Sequence, residues 1–179
     1  MAFTTIPAAG AKLPASVLSA LITELRPVSA FKTVDTSRAS TVARVADPDL
    51  SVTLPADSDW DFELVLLISS AANAAGDFSG EFAYPTGAAI SHLTLGLVDT
   101  LASGISADLS ADGNTRDATS PSNAFDLGCS TAVVCALVSG RIEVGSTAGA
   151  LTLNWAQLAS NANATVVQDG SRLVARRSD

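Results

Sequence analysis

The sequence predicts an all-β fold, a sandwich or barrel of about ten short strands, with one short helix ahead of it. Three observations carry that prediction. Apolar residues recur with period two in segment after segment, turn-forming residues punctuate them, and helical periodicity is confined to one stretch near the N-terminus. The clearest strand is Asp59 to Ser70, where Trp60, Phe62, Leu64, Leu66 and Ile68 fall on one face. On its other face Asp61 and Glu63 give way to Val65 and Leu67, so that side starts wet and becomes covered, as in a strand lying inside a sheet.

Taken in order, Met1 to Gly10 is an apolar lead punctuated by Pro7 and Gly10, a tail or an arm. Leu13 to Leu25 places Val17, Leu18, Leu21, Ile22 and Leu25 at the spacing of one helical face, with Pro14 suited to the first turn and Pro27 as the stop. A helix this short is marginal alone in water, so the stripe must dock, either on its own domain or on a neighbour. Residues 1–30 are therefore read as an arm and amphipathic helix, and 31–179 as the β domain.

From Phe31 the period becomes two. Thr33 to Asp35 and Thr41 to Val45 read as short strands, Ala46-Asp47-Pro48-Asp49 as a turn, and Leu50, Val52 and Leu54 as a buried face. Pro55 to Ser58 is a turn into the central strand. Phe78, Gly80, Phe82 and Tyr84 form the next face, closed by Pro85-Thr-Gly87, and Leu93, Leu95 and Leu97 another. Between Asp99 and Leu127 the pattern lapses into small and polar residues around Ala111-Asp112-Gly113-Asn114, a long loop at 99–127 in which Leu101, Ile105, Leu109 and Phe125 indicate partial packing. Cys129 to Val138 runs almost continuously apolar, as in a strand covered on both faces. Arg141 to Val144, Ala150 to Trp155, Thr165 to Gln168 and Ser171 to Arg176 complete the strands, with turns at Ser139-Gly140, Gly145 to Gly149, Ser160 to Asn163 and Asp169-Gly170.

Bulk properties narrow the function. The chain is 47% hydrophobic yet 16% charged, with a mean hydropathy of +0.34. Its longest apolar runs, Leu64 to Ile68 and Ala132 to Val138, are far short of the roughly 20 residues of a spanning helix, so no membrane partner is expected. The apolar surplus instead points to burial against copies of the same chain, a homo-oligomer. A net charge of −8 argues against nucleic acid as a partner, because that affinity comes largely from clustered Lys and Arg. The N-terminus does not read as a secretory signal, and the expected site of synthesis is a cytoplasm. Cys129 and Cys135, roughly 20 Å apart if both lie on one strand, cannot form a disulfide and read as buried small side chains.

Motifs for chemistry are missing. Asp57-Ser-Asp59-Trp-Asp61 opens like a calcium loop but lacks the glycine at position six and the acid at twelve. His92 is the single histidine, and no serine sits in a Gly-x-Ser-x-Gly elbow that could use it. Phosphate-binding glycine motifs are absent. A carbohydrate-active site could draw a carboxylate pair from Asp61, Glu63, Glu81 or Glu143, but no catalytic, cofactor-binding or metal-ligating residue is assigned. Arg172, Arg176 and Arg177 make a small basic tail, read either as solubilising charge or as a contact with an acidic neighbouring subunit.

Two ends of the chain are informative together. Gly10, Leu13, Leu18, Leu21-Ile22, Leu25-Arg26-Pro27-Val28, Ala30, Lys32-Thr33 and Asp35 resemble the opening of a family of small virion structural proteins of actinobacterial tailed phages. Gly145 to Gln157, then Ser160-Asn161, Thr165-Val166, Gly170-Ser171 and Leu173, is similar to that family's closing strands, and Trp60 to Leu64 with Phe78, Phe82 and Pro85-Thr-Gly87 to its central pair. The resemblance spans most of the chain except 99–127, which reads as an insertion. It implies a jelly-roll-like β-sandwich, trimeric, on the outside of a virion. The expected function is that of a capsid decoration protein on the head surface, with the major capsid protein and its own copies as partners. Val17, Leu18, Leu21, Ile22 and Leu25 are its expected partner-binding residues. The alternatives are a minor tail or fibre protein contacting the host envelope and, more remotely, a carbohydrate-binding or carbohydrate-active jelly roll.

Overall fold

The computed structural model describes residues 12, 14–19, 26–71, 77–95 and 124–178. Their strands are β1 (Val28–Phe31), β2 (Thr36–Arg38), β3 (Val45–Leu54), β4 (Ser58–Ser70), β5 (Phe78–Ala83), β6 (Ala89–Leu95), β7 (Ala124–Leu127), β8 (Val134–Val144), β9 (Gly149–Gln157), β10 (Thr165–Val167) and β11 (Arg172–Arg177). They form two antiparallel sheets around one apolar core, the jelly-roll-like sandwich that the strand pattern and the resemblance anticipate. Residues 15–19 make one helical turn, its first hydrogen bonds running from the Val17 and Leu18 amides to the Pro14 carbonyl.

β4 organises the first sheet. Along one edge it pairs with β8 from Ser58–Val144 to Ile68–Val134, and β8 in turn carries β6. Its other edge is shared end to end by β11, opposite Trp60 to Val65, and β10, opposite Ile68 to Ser70. Between those two short strands the chain turns at Gly170, which has the positive φ of 81° that glycine accommodates without strain. There the Leu67 carbonyl accepts from the Gln168 amide and the Leu67 amide donates to Ser171 Oγ, so the ladder is continued by the turn. β1 and β2 add to β11 and β10 as the outermost row. The second sheet runs β3-β9-β5-β7.

Period two in β4 is realised in full: Trp60, Phe62, Leu64, Leu66 and Ile68 are buried while the alternating residues are half-buried or exposed. They share a core with Leu50, Val52 and Leu54 of β3, Phe78 and Phe82 of β5, and Leu151, Leu153 and Trp155 of β9. Each such side chain contributes roughly 1.5–3 kcal/mol relative to exposure.

Several boundaries differ from the sequence reading, each for a physical reason. Thr33 to Asp35 and most of Thr41 to Val45 are connections, and the first sheet already begins at Val28. Ala46 to Asp49 is not a chain reversal but an irregularity inside β3, where the register against β9 shifts between Ala46 and Ser51. The local turn chemistry is real, since Asp47 Oδ1 accepts from the Asp49 and Leu50 amides at 3.0 and 3.2 Å, and it is spent on a bulge. Ser139-Gly140 is likewise not a turn: β8 runs through it. A Cβ at Gly140 would collide with the Ser91 carbonyl and the Phe62 ring, so glycine is there because β6 and the core approach the backbone closely.

In β6 the inward face is Ile90, His92 and Thr94, whereas Leu93, expected inside, is exposed; Leu97 lies outside the described residues. The apolar run at Cys129 is strand only from Val134. Cys129 is buried and Cys135 is exposed, a correction to the reading of both as core, and both are free thiols. Burial, and then the charge of Asp77, pushes the Cys129 thiol up to about 12. The long loop lies outside the described residues except at its C-terminal end, where Ala124–Leu127 pairs with β5 and buries Phe125 and Leu127.

Candidate functional site

Among the described residues the sandwich has two sides where an edge of one sheet meets an edge of the other. On one side these are β1/β2 and β3, and the N-terminal segment enters the fold there through Pro27 into β1. On the other they are β6 and β7, joined in sequence by 96–123.

Among the described residues most of the exposed large apolar side chains fall in the N-terminal part of the sequence, the exceptions being Leu93 on β6 and Val133 just before β8. Phe31, Val34, Val42 and Val45, between 57% and 68% exposed, all fall within the stretch from β1 to the start of β3. Of the expected partner-binding stripe, Val17 is half-buried and Leu18 is exposed in the helical turn, whereas Leu21, Ile22 and Leu25 lie outside the described residues.

Beneath this surface is a buried polar knot that sequence reading missed. Lys32, one residue past β1, has a fully buried side chain. Its Nζ donates to Thr36 Oγ1 at 2.7 Å, to Asp47 Oδ1 and Oδ2 at 3.0 and 3.1 Å, and to Asp49 Oδ2 at 3.1 Å. Asp47 is equally buried and accepts, besides Lys32 and the two backbone amides, the Trp155 Nε1–H at 3.0 Å. Arg38 lies over the Trp155 ring at 4.3 Å and donates to the carbonyls of Val45, Ala46 and Trp155. Burial lowers the Arg38 pKa and the Asp47 carboxylate opposes that shift. The Lys32 backbone also exchanges hydrogen bonds with Gly170 and Ser171 in the β10–β11 turn. One residue thus ties both sheets together, and removing a partner from such a desolvated pair leaves an uncompensated charge.

The remaining ion pairs are half-exposed or exposed. Arg141 reaches Asp59 at 2.6 Å and Glu143 at 3.6 Å beside a cleft of about 410 Å³ lined also by Asp57 and Gly145. Hydrogen bonding to Asp59, and then its charge, raises the Arg141 pKa. Arg44 pairs with Glu81 on the second sheet, and Arg172 lies 3.6 Å from Glu63 on the first. The carboxylates considered for a carbohydrate-active pair are therefore divided between the two sheets, with Glu63, Glu81 and Glu143 each beside an arginine. Of the basic tail, Arg172, Arg176 and Arg177 all lie on β11, opposite Val65, Asp61 and Trp60 of β4. Among the described residues no group of three or more His, Cys, Asp and Glu side chains could hold a metal ion, and no helix is long and apolar enough to cross a membrane.

His92 belongs to the opposite side. It is buried against Phe82 and Phe125, with edge-on ring contacts at 5.8 and 5.7 Å, and burial lowers its pKa. Its neighbours are aromatic rings, in keeping with a packing role.

No protein-family model matches the chain, and no curated protein does. Among solved structures, the chain aligns with one described as "Crystal structure of infectious bursal disease virus VP2 subviral particle", at 13% identity and a TM-score of 0.21. That alignment covers 84% of this chain and 39% of the viral one. A likeness this weak to a viral capsid protein carries no argument about fold or function.

Proposed function

We propose that this is a virion structural protein of a tailed phage, a trimeric decoration protein seated on the outside of the head shell, whose work is binding. The observation that carries the reading is the run of exposed apolar side chains between residues 18 and 45 of the sequence: Leu18 in the helical turn, then Phe31, Val34, Val42 and Val45 from β1 to the start of β3. A chain with a complete core of its own has no folding reason to expose these together, whereas an interface with a shell protein or a sister subunit would cover them. The resemblance of both ends of the sequence to small phage virion proteins supports the same reading.

The anchor is the segment before β1. Among the described residues the first strand of the sandwich is β1 at Val28, and the sequence stripe of Val17, Leu18, Leu21, Ile22 and Leu25 is the contact assigned to the shell. Repetition across a trimer multiplies a modest contact into stable occupancy. Deleting residues 1–26 is expected to leave a folded β domain that no longer decorates particles, scored by circular dichroism and by imaging particles incubated with the truncated protein. Full occupancy by the truncated chain would refute the anchor. A handful of copies per particle, in place of hundreds, would refute the head location and favour the tail.

A further inference from the structure

The geometry points to an intramolecular isopeptide bond between Lys32 Nζ and Asp47 Cγ, made by the protein on itself once folded, with Asp49 as the proton carrier. Three features of the buried knot converge on it. The nucleophile and electrophile are already in contact, both with no exposed side-chain surface, and held by the fold, so the encounter is intramolecular. A second carboxylate, Asp49 Oδ2, touches the same nitrogen at 3.1 Å and is partly open to solvent, which fits a group that takes up and hands on protons. The carbonyl oxygen is provided for as well: Asp47 Oδ1 faces the amide N–H groups of Asp49 and Leu50, two fixed donors where negative charge develops on a tetrahedral carbon.

The step balances without any co-reactant. Asp49 accepts a proton from the Lys32 ammonium and passes it to Asp47 Oδ2, leaving a neutral amine beside a neutral acid, a pair that desolvation penalises less than the two ions. Rotation of the Asp47 carboxyl turns its face to Nζ. The Nζ–Cγ bond forms, charge collects on Oδ1, and the Cγ–Oδ2 bond breaks as a second nitrogen proton reaches the departing oxygen by the same route. Ammonium plus carboxylate become amide plus water. The product keeps Oδ1 on its two backbone donors and leaves the net charge of the chain unchanged. It would bind the strand that carries the N-terminal segment covalently to β3, so that a pull on that segment is borne by a side-chain bridge as well as by the hydrogen bonds of β1.

The decisive measurement is the mass of the full-length protein, purified folded, incubated, then denatured and analysed intact and after proteolysis. The expected result is a chain lighter than its sequence by one water, with fragmentation of a branched peptide placing the link between Lys32 and Asp47. Lys32→Arg and Asp49→Asn are each expected to restore the full sequence mass. An unmodified mass for the incubated native protein overturns the proposal, and that measurement needs no variant to fold. A water loss that persists in Lys32→Arg also overturns it, because the water would then have left another site, such as a succinimide at Asp112-Gly113 or Asp169-Gly170; Asp47 itself precedes Pro48, which has no N–H to cyclise on. If Asp49→Asn loses water as fast as the native chain, the role given to Asp49 is overturned.

Discussion

The two edge-to-edge sides of the sandwich join the same two sheets by opposite chemistry. On the β1/β2–β3 side the join is a dry cluster of charges and hydrogen bonds centred on Lys32 and Asp47, with Trp155 contributing its N–H as well as its ring. On the β6–β7 side it is aromatic surface: Phe62, Phe82, His92, Phe125 and Phe78 form a continuous chain of ring contacts with centroids 5.0 to 6.1 Å apart. The difference lies in how each side fails. A polar cluster holds only while every member is present, since each partner desolvates the next. An aromatic cluster loses roughly the area and contacts of whichever ring is removed, and its neighbours still pack.

That contrast can be broken most forcefully at Asp47. Asp47→Ala strands the buried Lys32 ammonium, the Trp155 N–H and the bulge amides at once, and is expected to cost about 3–5 kcal/mol, read as a lowered urea midpoint at unchanged slope. Lys32→Met should cost less, because Asp47 keeps its other donors. Equal losses would mean that the cluster is no more cooperative than a single pair. On the aromatic side Phe125→Ala should cost about 3 kcal/mol, near the lower end for such truncations, because β7 is an edge strand free to collapse toward β5. A loss well above that would show the aromatic side to be the more cooperative one.

The smallest effect sharpens the comparison through pH. Burial lowers the His92 pKa, so the unfolded chain binds the proton more readily than the folded one. Stability from this residue is complete above the unfolded value of about 6.5 and declines as pH falls toward the folded value. Native protein should therefore lose stability on acidification from neutrality in a way that His92→Phe does not, measured as the difference between their melting temperatures across that range. Parallel curves would show that His92 is hydrated in the folded state.

Much of the sandwich was legible in the sequence because a strand advertises its buried face locally. Trp60 to Ile68 in β4 and Leu50, Val52 and Leu54 in β3 needed no partner to be identified, and Gly87 and Gly170 marked turns by their backbone requirement alone. Where a residue answers to a distant neighbour, the local pattern misled. Gly140 looks like a turn and is a strand position thinned to let β6 and Phe62 approach. His92 looks like the polar side of a leucine strand and is its inside, because Phe82 and Phe125 offer rings there while Leu93 faces out.

The candidate surface divides in the same way. Sequence by itself determined that this is an all-β chain with an apolar N-terminal stripe and none of the familiar catalytic signatures, since periodicity and composition are properties of neighbours along the chain. Only the tertiary structure decided that Lys32 and Asp47 meet. A charge carries no mark of its burial in the sequence; that depends on which strands the sheets set side by side, and here β1 and β3 close over an ion pair that neither could bury alone.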